Sequence, residues 1–300
     1  VEDSGGTERE LQSLRVDFDR ALETFLSEEL EPLPPAVTGA VLYAVTSPGK
    51  RIRPLLLMAA YRCLGGDRTA IADLALSVEL VHAYSLVHDD LPCMDDDVLR
   101  RGRATVHVKY GVARAVLSGA ALMPLAVRSI LRSGSRLALD SVTVDRLVEV
   151  LTSAAGASGM VGGQLLDLRA EGRVVDREQL ERIHTGKTAR LIAACAVMGG
   201  LAAGADQARL DALERYGLNL GLAFQAVDDI LDLRGTSGQL GKESGRDRDL
   251  GKATYPSLFG LEETERISQA FARAAIAELD DIGSSEPLNA IASYVIERTH

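Results

Sequence analysis

Apolar residues in this chain recur at steps of three and four, the spacing that lines one face of a helix. From Leu210 they fall at Leu213, Gly217, Leu220, Phe224, Val227 and Leu231. Ile71, Leu74, Ala75, Val78 and Val81 repeat the pattern. Leu11, Leu14, Phe18, Leu22 and Phe25 mark a first helix, closed by Pro32, Pro34 and Pro35. Runs that alternate with period two, the mark of a half-buried strand, are hard to find. Two uncharged apolar runs, residues 115–127 and 191–205, are 13 and 15 residues long. Both fall short of the roughly 20 residues needed to cross a bilayer, so they predict helices buried inside a protein and no membrane span.

Breaks between these patterns are short. Ser47-Pro48-Gly49 and Gly65-Gly66-Asp67 read as turns, residues 100–107 are polar and Arg-rich, and residues 235–251 form the longest polar stretch. No repeat and no long linker divides the chain. The expectation is one all-α domain over residues 1–300, a layered bundle with some helices wholly buried, in which residues 1–8 are a disordered tail. Residues 154–163 hold five glycines or serines, a costly composition for a helix interior. It predicts either close helix–helix approach or room for a bulky ligand.

Composition narrows the function. With 46% hydrophobic residues in 300, the chain can build a sizeable core without disulfides or metal staples. A net charge of −10 argues against a nucleic-acid binder, which needs a basic face. It leaves room for a local basic pocket. Cys63, Cys93 and Cys195 are far apart and lack metal-ligand spacing, which predicts a reducing, cytoplasmic setting with Cys63 and Cys195 in the core. The start, Val1-Glu2-Asp3-Ser4-Gly5-Gly6, is acidic and unlike a secretory signal. Its first residue is not Met, which suggests a trimmed chain.

Two acidic clusters stand out: His88-Asp89-Asp90-Leu91-Pro92-Cys93-Met94-Asp95-Asp96-Asp97 and Asp228-Asp229-Ile230-Leu231-Asp232. Each ends an apolar helix, where the helix dipole disfavours negative charge, so each calls for a compensating cation. Asp228 and Asp232 share a helical face, with Gln225 one turn before. Asp89 and Asp95 converge only if Pro92 breaks the helix and two residues loop out. Oxygen-only ligands with excess negative charge favour Mg²⁺, which fills its shell with water and phosphate oxygens. Lys50, Arg51, Arg53, Arg100, Arg101, Arg103, Lys187, Lys242 and Lys252 lie near these clusters in sequence and suit a polyphosphate. Gly186-Lys187-Thr188 is no P-loop, because position 181 is Glu and no strand precedes it.

The motifs resemble those of the trans-prenyltransferases, the isoprenyl diphosphate synthases. The resemblance rests on Gly49-Lys50-Arg51-Ile52-Arg53-Pro54, on Asp89 to Asp95 followed by Leu99-Arg100-Arg101-Gly102, and on Gly159-Met160-Val161-Gly162-Gly163-Gln164. It continues through Ile183-His184-Thr185-Gly186-Lys187-Thr188, Phe224-Gln225-Ala226-Val227-Asp228-Asp229 and Lys252-Ala253-Thr254-Tyr255-Pro256. It is closest to bacterial farnesyl and geranylgeranyl diphosphate synthases. It implies an isoprenoid-synthase bundle with a central cavity, working as a homodimer on isopentenyl and allylic diphosphates. By that resemblance Asp89, Asp95 and Asp228 hold three Mg²⁺ ions, supported by Asp90, Asp229 and Asp232. Arg100, Lys187 and Lys252, with Lys242 nearby, contact the allylic diphosphate. Lys50, Arg53, His82 and Arg101 bind isopentenyl diphosphate. Thr188 and Gln225 sit beside the reacting carbons.

The same resemblance makes Tyr84, with Ser85 and Val81, the floor of a pocket that stops growth near fifteen carbons. Farnesyl diphosphate is therefore the expected product, with geranylgeranyl diphosphate as the alternative. Ala120 and Pro124 depart from the family pattern on a helix that borders this pocket, and Ala104 departs where proline is common. A non-catalytic subunit of a heteromeric synthase is the rival of a different class, disfavoured because both acidic motifs are intact. A terpene cyclase would not need cations for a second diphosphate.

Overall fold

Caps, prolines and glycines set where the helices begin and end. The protein was described with a computed structural model covering residues 4–31, 34–234, 251–280 and 282–297. The chain forms α1 (Ser4–Glu29), α2 (Pro35–Val45), α3 (Ile52–Cys63) and α4 (Ile71–Asp89). A small hairpin, β1 (Leu99–Arg100) and β2 (Arg103–Ala104), leads to α5 (Val106–Tyr110), α6 (Val112–Leu137) and α7 (Ser141–Ala155). Next come α8 (Met160–Ala170), α9 (Arg177–His184), a π-helical turn (Thr185–Ala189), α10 (Arg190–Ala202) and α11 (Gln207–Arg234). Beyond residue 250 lie α12 (Tyr255–Phe259), α13 (Leu261–Ala277) and α14 (Glu286–Glu297). Pro35 opens α2 at its first position, and Asp140 caps α7 by accepting from Thr143 N–H. Asp176 and Thr254 build capping boxes for α9 and α12.

The fold is all-α, as the spacing predicts. Ile71, Leu74, Ala75, Val78 and Val81 are fully buried, and so are Leu76 and Leu80 on the other side of α4. That helix is therefore central, packing most extensively on α6. The main apolar core runs from Leu14 in α1 to Val295 in α14, with two smaller clusters around Tyr255 and Val87. Helix α10 carries most of the run 191–205 and is buried on nearly every side, and Cys63 and Cys195 are in the core as expected.

Four expectations change. Helix α1 already begins at Ser4, so residues 4–8 are not a disordered tail. Glu8, Arg9 and Glu10 are good helix formers and carry the helix without a break into Leu11 and Leu14. Residues 115–127 are not buried all round. Ala115, Gly119, Leu122 and Ala126 face the core, whereas Val116 and Leu117 stay exposed. Helix α6 is long and apolar enough to cross a membrane by length and composition. It packs on α4 through one stripe, and Arg114, Arg128, Arg132 and Arg136 interrupt its other faces.

Residues 154–163 are not one helix: α7 stops at Ala155 and α8 starts at Met160. Their small residues serve close approach. A Cβ on Gly163 would lie 2.0 Å from the Lys187 backbone nitrogen. Finally, the Arg-rich stretch contains a hairpin. Arg101 and Gly102 both adopt positive φ (53° and 74°), which closes a two-residue turn of the hairpin type.

Candidate active site

The first acidic cluster begins where α4 ends. Asp95 N–H donates to the Asp89 carbonyl at 2.9 Å, so the chain folds back on itself. Pro92 and Cys93 are exposed and Asp95 is buried. The looping-out that Pro92 predicts is what brings Asp95 back beside Asp89. Burial pushes the Asp89 carboxyl above its ordinary value; Lys187 opposes this and Asp95 adds to it. Burial likewise pushes Asp90 up to about 6, against the pull of Arg100.

The compensating cations called for at this helix end are present. Arg100 Nε donates to Asp90 at 2.5 Å and its Nη2 to Asp97 at 3.0 Å. Lys252 Nζ lies 2.9 Å from Asp95 Oδ2. Lys187 is held 2.5 Å from Asp167 Oδ2 on α8. The π-helical turn widens the chain at Lys187 and Thr188, a deviation that recurs at functional sites. Lys242 lies outside the described residues.

The second cluster is on the last turns of α11. Thr188 Oγ1 donates to Gln225 Oε1 at 2.9 Å, and Gln225 Nε2 donates to Asp229 Oδ1 at 2.9 Å. Tyr255 N–H donates to Asp229 Oδ2, also at 2.9 Å. Both oxygens of Asp229 thus accept hydrogen bonds from the protein, and the Gln225 amide is fixed in one orientation. Asp228 is half-buried and lies in the field of Arg53. Asp232 is buried one helical turn beyond.

A cationic corner forms on α3, α4 and the hairpin. Arg101 Nη2 donates to His82 Nε2 at 3.4 Å and its Nη1 to the Pro48 carbonyl at 2.7 Å. Gly49 makes room for that guanidinium, since a Cβ there would meet Arg101 Nη1 at 2.5 Å. Burial, and then Arg53, Arg101, Arg100 and Arg51, hold His82 neutral, well below its ordinary value. Arg53 lies over the Phe224 ring, and its buried Nε has no hydrogen-bond partner among the described residues. Arg51 pairs with buried Glu79 and anchors α3 instead. Lys50 is exposed and lies 5.2 Å from the Tyr294 ring centroid on α14. Tyr84 and Ser85 are half-buried and Val81 is fully buried on the helix that leads to Asp89.

A profile of the polyprenyl synthetase family matches residues 34–285. The chain belongs to that family. It is 42% identical over 299 residues to the farnesyl diphosphate synthase of Escherichia coli (strain K12), covering 94% of this chain and 99% of that one. It is 41% identical over 270 residues to the chloroplastic geranylgeranyl pyrophosphate synthase 11 of Arabidopsis thaliana, covering 88% of this chain and 75% of the relative. A solved geranyltransferase from Helicobacter pylori, complexed with magnesium and isoprenyl diphosphate, superposes with a TM-score of 0.78 at 33% identity over 94% of each chain. This polyprenyl synthetase is a prenyltransferase.

Several side chains of this candidate site are not foreseen from the sequence. Asp167 holds Lys187, Glu79 holds Arg51, and Asp97 shares Arg100 with Asp90. A signal existed for Glu79, a lone acid within the apolar sequence of α4, because a buried charge demands a partner. Asp167 had only a weak one, three residues after Gln164 on a helix whose partner is remote in sequence.

Proposed function

We propose that this polyprenyl synthetase joins isopentenyl diphosphate head-to-tail to dimethylallyl or geranyl diphosphate, with farnesyl diphosphate as main product. The observation that carries this is one acidic and one cationic region in the same site. The carboxylates of half-buried Asp89 and buried Asp95 face cations that can exchange partners. Arg53 and Arg101 carry positive charge beside the neutral His82 imidazole, and among the described residues no ion pair holds either of them as Asp167 holds Lys187. A cationic corner of this kind suits a second diphosphate. Intact acidic clusters speak against a non-catalytic subunit. Identity of 42% to a farnesyl diphosphate synthase along almost the full length favours the fifteen-carbon product over the geranylgeranyl alternative.

The residues fit Mg²⁺. Among the described residues no three acidic, His or Cys side chains converge into a cage. Mg²⁺ that keeps its waters and takes substrate phosphate oxygens needs only one or two carboxylates. Asp89, Asp95 and Asp228 would hold three such ions, supported by Asp90, Asp229 and Asp232, and bound Mg²⁺ supplies neutralisation of the charge that grows on leaving diphosphate. Lys187, Arg100 and Lys252 exchange their carboxylates for phosphate oxygens, with Lys242 nearby. His82, Arg53 and Arg101, with Lys50 at the rim, orient isopentenyl diphosphate.

The allylic carbon–oxygen bond breaks and the double bond of isopentenyl diphosphate attacks the resulting cation. A carbon–carbon bond forms, and the proton lost afterwards goes to the released diphosphate, so no protein base is required. Thr188 commits its proton to Gln225 and presents oxygen lone pairs to the cation. The apolar helices exclude water, which would trap the cation as an alcohol.

A main core that reaches from α1 to α14 supports a single domain, and the exposed Val116 and Leu117 of α6 support a homodimer. Light scattering should then give about twice the 32.0 kDa chain mass. The cysteines are free, which suits a cytoplasmic setting. The deciding experiment supplies Mg²⁺, dimethylallyl diphosphate and labelled isopentenyl diphosphate and separates products by length. Fifteen carbons are expected. A twenty-carbon product would refute the farnesyl assignment, and no product at all would refute the synthase reading.

A further inference from the structure

We propose that His88 is a positioning residue for product length, acting by bracing Tyr84 against α6. The proposal rests on the reading of Tyr84 as the pocket floor. A floor stops a growing chain only if its ring cannot swing aside, and Tyr84 is a half-buried side chain with room to turn unless something holds it. Tyr84 and His88 are four residues apart on α4 and share a helical face, about 6 Å apart along the axis. Their rings meet edge to face, with centroids 4.8 Å apart and planes at 66°.

His88 is itself locked from the far side. Its ring occupies a notch in α6 that exists only because residue 119 is glycine. A Cβ there would lie 2.2 Å from His88 Nε2 and 2.4 Å from Cδ2. Nε2–H donates to the Val116 carbonyl at 3.2 Å, which sets the ring orientation and places the proton on Nε2. A contact thus runs from the backbone of α6 through the imidazole to the Tyr84 ring. His88 immediately precedes Asp89 in sequence, yet its ring is committed to α6 and Tyr84. Helix α6 also carries Ala120 and Pro124, and the brace at Gly119 and Val116 couples the position of that helix to the floor.

The test uses the full-length protein with Mg²⁺, dimethylallyl diphosphate and isopentenyl diphosphate, and reads the ratio of twenty- to fifteen-carbon product. His88→Ala removes the brace and should raise that ratio by about tenfold, the scale of discrimination available from a packing contact in an apolar pocket. His88→Phe keeps a ring in the notch without the hydrogen bond and should hold the ratio near that of the unaltered protein. Tyr84→Ala should lengthen the product. Tyr84→Ala combined with His88→Ala should lengthen it no further, because His88 acts through Tyr84. If His88→Ala does not fold, His88→Gln, which keeps a donor for Val116 but lacks the ring, carries the same test. An unchanged ratio in the ringless variant beside a lengthening Tyr84→Ala would overturn the brace and leave the floor standing. A Tyr84→Ala variant that still stops at fifteen carbons would overturn the floor itself. Further lengthening in the double variant would show that His88 acts on its own, which also refutes the brace.

Discussion

Replacing Asp167 by Asn removes one charge from a buried pair and keeps the side-chain volume, so no cavity enters the comparison. Asp167 has 7% of its side chain exposed, Lys187 23%, and they are 2.5 Å apart. Burial pushes the Asp167 carboxyl up, but Lys187 and Lys252 outweigh it and hold it below its ordinary value. Burial works against the Lys187 ammonium, yet Asp167, Asp89 and Asp95 together keep it above its ordinary value. Breaking a buried pair from one side costs about 3–5 kcal/mol when the remaining charge is left alone. Lys187 is not left alone, because Asp89 and Asp95 remain in reach. The expected loss is therefore about 2–3 kcal/mol.

The depressed Asp167 contributes stability that is present above about pH 3.9 and fades as the carboxyl protonates below it. The raised Lys187 contributes fully below about pH 10.4 and fades above. The gap between parent and variant should then stay flat across roughly pH 5 to 9. Released from Asp167, Lys187 turns to the carboxylates expected to hold Mg²⁺. The variant should thus need more Mg²⁺ for half-maximal rate, an effect that simple destabilisation does not produce. Urea unfolding and a Mg²⁺ titration of initial rate check both effects. A stability change under about 0.5 kcal/mol, within the ordinary range of surface substitutions, together with an unchanged Mg²⁺ requirement, would refute the reasoning.

The other predictions concern packing and pH. Gly163→Ala forces a methyl into the Lys187 backbone nitrogen at 2.0 Å. It should cost about 2–3 kcal/mol by overpacking, read as a drop in Tm. Gly39→Ala meets only the Tyr110 ring at 3.6 Å and should stabilise helix α2 by about 0.5–1 kcal/mol. Equal Tm changes in the two would show that close approach is not what Gly163 serves. Burial lowers His184 to about 4. Its neutral form thus contributes stability that is complete above the unfolded value near 6.5 and is lost as pH falls toward 4, by up to about 3 kcal/mol. Urea midpoints between those values should fall less steeply for His184→Gln than for the parent, and parallel slopes would show that another group titrates.

The helices were legible because their apolar spacing is local information. The α11 and α4 stripes appear as read, and Pro92 correctly announces the loop that returns Asp95 to Asp89. Both acidic clusters and most of their cations could be named from residue type, since carboxylates at a helix C-terminus demand compensation. The partners of those cations could not be named. Lys187 meets Asp167 across 20 residues, and Lys252 meets Asp95 across 157. Lys50 shows the same limit in reverse, for it sits beside the motif in sequence but rests on Tyr294.

Sequence alone therefore determined the fold class, the family and the inventory of charged groups, because helix periodicity and motif chemistry are written in neighbouring residues. Tertiary structure decided which cation holds which carboxylate, which apolar residues of α6 stay exposed, and how Gly119 admits the His88 ring against Tyr84. Those outcomes depend on distances between helix surfaces. Such distances are set by packing the whole core at once, a constraint that no local stretch of residues carries.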